Sequence, residues 1–153
     1  MPEIKRILLP LVFSEHDAFA ADYARQIALC AGAEVDLIHV TPEVDLVYGH
    51  EIALQTLHKD FKGYEKEVAD KLMAGFAEKS LAGVAIGKKI VLQGNASEEI
   101  IHYANNNDIQ MIIIATHCRK GLVAMAVGSV AERVIKNSSI PVLAVHPPCR
   151  IAD

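Results

Sequence analysis

Five short apolar runs separated by helix-length polar stretches constrain this chain more than any other feature. Lys5 to Val12 (KRILLPLV), Val35 to Val40 (VDLIHV), Ala85 to Leu92, Gln110 to Ala115 (QMIIIA) and Pro141 to Val145 (PVLAV) read as strands. Continuous rather than alternating hydrophobicity is the mark of strands buried on both faces, as in parallel sheets. Between the runs, helical spacing returns. Ser14 with Asp17 resembles a capping box, and Phe19, Tyr23 and Ile27 recur every four residues until Gly32, a C-terminal stop. Phe61, Tyr64, Val68, Leu72 and Phe76 form an apolar stripe on a second helix, while residues 41–60 are the least readable part. Asn95 caps a third helix, with Glu98 and Glu99 in its positive first turn, and an asparagine run ends it. A short helix over Val130 to Lys136 completes the series. The pattern predicts an α/β fold, a five-stranded parallel sheet covered on both faces and joined by right-handed crossovers.

With 153 residues, 52% of them apolar, the chain suits one domain with a substantial core. Fifteen basic against 19 acidic residues, a net charge of −4, leave no electrostatic footprint for nucleic acid or an anionic membrane. No stretch approaches the ~20 apolar residues of a membrane span, and the amino terminus lacks a secretory pattern. Cys30, Cys118 and Cys149 form neither a disulfide framework nor a zinc motif, and the histidines show no ligand spacing. These features predict a cytoplasmic protein with no metal site.

Ligands of open parallel sheets bind beyond the carboxyl ends of the strands, where strand order reverses. That places the candidate site at Pro10 to Ser14, Val40, Gly94 and Asn95, and residues 115–128. Gly128, Ser129 and Val130 open the last helix, whose free N–H groups and dipole favour an anion. His117, Arg119 and Lys120 lie just upstream as further anion contacts. The same end also reads as purely structural, because Ser129 and Glu132 have the spacing of a capping box. Cys118, beside two basic residues, is a minor candidate for redox chemistry. There is no G-x-S-x-G elbow or Walker motif.

The segments KRILLPLVFSE, LIHV, QGNASEEII and IIIATHCRKG…VGSVAERVIKNSSIPVLAV together resemble the universal stress protein family, over nearly the whole chain. The resemblance implies a Rossmann-like single domain over residues 1–146 with a tail at 147–153. It further implies a homodimer that takes part in stress responses, without a required cofactor or catalytic activity. Some members of that family bind ATP through G-x2-G-x9-G-[ST], with an aspartate near the end of the first strand. Here Ala115 and Cys118 stand at the first two glycine positions and Val12 at the aspartate, while Gly128 and Ser129 match. The expectation is a dimeric interaction module with weak or absent ATP binding. The alternative is an adenine-nucleotide regulator, taking ATP or AMP, whose contacts are Pro10, Val40, Ala115, His117, Arg119, Gly128, Ser129 and Val130. The apolar run PVLAV, placed at a sheet edge, would leave backbone groups unpaired and predicts pairing with a second copy.

Overall fold

The computed structural model describes residues 2–43, 51–117 and 128–148, residues 51–62 by their backbone alone. Strands and helices alternate as the apolar runs predict: β1 (Arg6–Pro10), α1 (Asp17–Ala31), β2 (Glu34–Thr41), α2 (Glu51–Ser80), β3 (Ala85–Gln93), α3 (Ala96–Asn106), β4 (Met111–Ala115), α4 (Ser129–Asn137) and β5 (Val142–Val145). The sheet order is β3-β2-β1-β4-β5, and every neighbouring pair is parallel. β1 therefore sits in the middle, with the chain winding outward from it in both directions. Residues 41–60, unreadable from periodicity, contain the start of the long helix α2.

Side chains of each strand alternate between two cores. Ile7, Leu9 and Leu11 join Val35, Leu37, Ile113 and Val145 beneath α1 and α2. Leu8, Ile38, Ile112 and Ile114 face α3 and α4, packing with Ile100, Tyr103 and Val134. Both faces are covered, so continuous apolar runs are what the strands need.

The helices bury different faces from those that large side chains suggest. On α1, Ala20, Ala21, Ala24 and Ala28 lie against the sheet, whereas Tyr23 is 52% exposed. On α2, Ala69, Met73 and Ala77 are buried, whereas Tyr64 is 66% exposed and Val68 and Leu72 are also exposed. Alanine lets the helix backbone approach the sheet closely, and most of the larger residues are displaced to the rim, although Ile27 and Phe76 still pack against the core. The expected faces of both helices are thus corrected in part. Capping is partly corrected too: on α3, Asn95 Oδ1 accepts from Glu98 N–H at 3.3 Å as expected, whereas at α1 only the return half of the expected box forms, Asp17 Oδ2 accepting from Ser14 N–H, and the helix begins after His16 without a side-chain cap.

A fully buried carboxylate lies inside the apolar frame. Asp36, fully buried on β2, accepts from Tyr103 Oη–H at 2.9 Å and from Lys88 N–H at 2.8 Å, with Arg6 Nε 4.0 Å away. The Lys88 bond falls where the β2–β3 register shifts, so the carboxylate satisfies a donor that the ladder leaves free. Burial and then the hydrogen bond to Asp36 push the Tyr103 phenol above the ordinary tyrosine range, keeping it a donor. Gly87 is required beside it, because a Cβ there would collide with Asp36 Oδ1.

Among the described residues no helix is long and apolar enough to cross a membrane. The alanine face of α1 yields a direct test. Ala24→Leu, forced against the sheet, should lower unfolding free energy by about 1–3 kcal/mol, while Tyr23→Ser should change it by less than about 1 kcal/mol. Urea denaturation of the two variants checks the order.

Candidate functional site

Order reverses on either side of β1, and beyond the carboxyl ends of β1 and β4 the connections diverge. A cleft of about 160 Å³ opens there. Its walls come from Pro10, Leu11 and Val12 after β1, Ile38 and Val40 of β2, Ile114, Ala115 and His117 of and after β4, Ala96 and Ile100 of α3, and Gly128 to Ala131 at the start of α4. Ser14 and Asp17 close the side next to α1. Seven of the eight residues singled out by sequence (Pro10, Val40, Ala115, His117, Gly128, Ser129 and Val130) therefore meet around one cavity. The eighth, Arg119, lies outside the described residues, as do Lys120 and Cys118.

The amino end of α4 has no side-chain cap. Gly128 occupies the cap position with φ −55° and ψ 150°, and Ser129 is already the first helical residue. The capping box expected from Ser129 and Glu132 does not form; Glu132 instead pairs with Lys136 at 2.7 Å, which lowers its pKa. Position, rather than residue type, decides this, because a serine one step inside the helix cannot fold back on the N–H groups that a cap satisfies. Gly128 also needs no positive φ, and a Cβ there would make only an ordinary 3.6 Å contact with His117. The first-turn N–H groups of α4 consequently face the cleft with no side-chain cap among the described residues.

Opposite this end, the β1–α1 loop is wound around a carboxylate. Asp17, 1% exposed, accepts at Oδ2 from Val12 N–H at 3.1 Å and Ser14 N–H at 3.3 Å. This winding requires Phe13 to adopt φ 60°, a left-handed conformation costing a phenylalanine roughly 1–2 kcal/mol. Contacts on both sides offset it: the Phe13 ring packs 4.6 Å from that of His39, and His39 Nδ1 donates to Leu11 O at 2.8 Å. Burial pushes the Asp17 carboxyl up, while the N–H groups of Phe13, Val12 and Ser14 and the nearby His117 pull it down. His117 in turn stands edge-on to His16, ring centroids 5.2 Å apart. Ser14 Oγ and His16 Nδ1 are buried there without a hydrogen-bond partner among the described residues. Val12, by contrast, is 59% exposed at the mouth.

Sequence reasoning missed Asp17, Ile38, Ile100 and Ile114 as lining residues. Ile38 and Ile114 were legible in principle, since period-two alternation puts them on the α3 side with Val40, and Ile100 faces them from α3. Asp17 was singled out only as the partner of Ser14 in a capping box, and that spacing carries no sign that it lines a cleft. Among the described residues, no group of three or more histidine, cysteine or acidic side chains is placed to hold a metal ion.

The cleft combines an apolar wall, an uncapped helix amino end and a buried carboxylate at the reversal point of a parallel sheet. That combination is the geometry in which α/β domains of this topology build small-ligand sites. The chain belongs to the universal stress protein family, whose model matches residues 3–146. It is 30% identical over 152 residues to universal stress protein MJ0577 of Methanocaldococcus jannaschii, covering 92% of this chain and 94% of that protein. The solved structure of MJ0577 superposes with a TM-score of 0.80 at 28% identity, over 97% of this chain and 99% of that one. More distant structures share the fold. One is a universal stress protein from Archaeoglobus fulgidus in complex with dAMP, with TM-score 0.60, 18% identity, and coverage of 94% of this chain and 98% of that one. Another is a universal stress protein in complex with cAMP, with TM-score 0.67, 16% identity, and coverage of 96% and 100%.

Proposed function

We propose that this protein is a non-catalytic stress-response module whose cleft between β1 and β4 binds an adenine nucleotide, and that it works as a homodimer joined through β5. The uncapped amino end of α4 is the observation that carries the ligand. Its N–H groups and dipole favour a phosphate, and the adjoining wall of Ile38, Val40, Ile100 and Ile114 offers apolar surface to a base. Relatives of the same fold in complex with dAMP and cAMP support the adenylate class.

The polar groups near the cleft are arranged for holding rather than reacting. Asp17, the buried carboxylate, accepts backbone donors of its own loop at Oδ2 and holds that loop in shape. The Thr116 hydroxyl, hydrogen-bonded to His146 Nδ1, is 1% exposed and closed to a substrate. Exposed Val12 gives the mouth of the cleft no polar contact for a nucleoside, which favours weak rather than tight ATP binding.

Dimerisation rests on the edge position of β5. Pro141 O and Val145 O accept from Ile112 N–H and Thr116 N–H of the β4 side. By strand alternation, the backbone groups of Val142 and Ala144 point away from β4 toward the free edge. A second copy can satisfy them.

Calorimetric titration of AMP tests the ligand. The wild type should bind, and Ser129→Pro should weaken AMP about tenfold while leaving adenosine unchanged. Proline suits the first helical position and the extended ψ of Gly128 before it, so it removes one N–H without breaking α4. Equal AMP affinity in both proteins would rule out the helix end as the phosphate site. Ala144→Pro, which deletes only an outward N–H of β5, should shift the mass measured by light scattering from dimer to monomer; a wild type that is already monomeric would refute the assembly.

A further inference from the structure

The β1–α1 loop of this chain builds a nest of backbone donors and then fills it with its own side chain. Val12 N–H and Ser14 N–H converge on Oδ2 of Asp17, with Phe13 between them at φ 60°. Successive N–H groups turned inward by such a left-handed residue form a concavity suited to an anion. Here the anion is internal and buried to 1% exposure, so those donors are spent. Asp17 nevertheless lines the cleft, facing the same space as the first turn of α4.

Among the described residues, few charges surround that space. From α1 and its loop come Asp17, Ser14 and His16; from the end of β4 comes His117, which stands against His16 and near Asp17; from α4 come only N–H groups and the helix dipole. The positive end of α4 suits one phosphate. A second or third phosphate adds charge to a cavity that already holds a fixed carboxylate behind low-dielectric walls of isoleucine and proline, where repulsion is poorly screened.

We propose that Asp17 is the specificity-determining residue of the cleft, an internal anion that restricts its ligands to nucleotides with few phosphates. This rests on the adenylate reading above and adds which adenylates are accepted and why. Burial pushes the Asp17 carboxyl above the usual carboxylate range, against the pull of the backbone donors that the loop turns toward it.

Asp17→Asn separates charge from architecture, since the amide oxygen can still accept from Val12 and Ser14 while the negative charge is gone. Adenosine, AMP and ATP are titrated into the wild type and Asp17→Asn at neutral pH and constant ionic strength. The variant should gain at least about fivefold in affinity for ATP relative to adenosine, with AMP between. A residue that merely shaped the loop would move all three ligands together, and an unchanged ATP-to-adenosine ratio would overturn the proposal. The wild type provides an independent test should the variant fail to fold: AMP should bind more tightly than ATP, and ATP binding tenfold tighter than AMP would overturn it. Adenosine bound by both proteins with the ratio unmoved sinks this inference alone. A wild type that binds neither adenosine nor AMP sinks the adenylate reading and this inference with it.

Discussion

β1 is paired on both sides, with β2 along its whole length and with β4 at Ile7 and Leu8, and the rest of the molecule depends on that double pairing. It forces the chain to leave the centre of the sheet in opposite directions, α1 and α2 on one face, α3 and α4 on the other. Beyond the strand ends the two windings part, and the space between them cannot be filled by either. The cleft is thus a consequence of topology. What lines it is a consequence of which residues follow β1 and precede α4.

Those two segments are built differently. The amino end of α4 leaves backbone donors open, because glycine at the cap position has no side chain to return to them. The β1–α1 loop does the reverse, accepting the strain of a left-handed phenylalanine so that its donors reach Asp17. An open electropositive end thus faces a closed one whose backbone donors are already taken up by a carboxylate. His117 lies between them, against Gly128 on one side and His16 on the other.

How much of this is legible in the sequence follows from the physics of each signal. The strands are clear because both of their faces are buried, so every position from Ile7 to Leu9 or Ile112 to Ile114 has to be apolar. The reversal point follows from strand count and crossover handedness, which is why Pro10, Val40, Ala115, His117, Gly128, Ser129 and Val130 can be placed around it. Helix faces are harder to read because size is a poor guide to burial: Tyr23 and Tyr64 are prominent in sequence, yet Ala24 and Ala69 make the contacts. Ser129 and Ser14 miss the cap positions by one and two residues because the spacing motif does not fix where a helix begins, and only the return bond from Asp17 to Ser14 N–H survives. Asp17 has no motif of its own as a lining residue.

The central claim is that a phosphate-bearing ligand sits in the cleft between the β1–α1 loop and the amino end of α4. Backbone amide NMR during titration with AMP tests it most directly. The largest shifts should fall on Ser129, Val130 and Ala131, with smaller ones on Val12 and Ser14 across the cleft. Shifts concentrated instead on the outer groove between α3 and α4, at Ser97, His102 and Arg133, would contradict it.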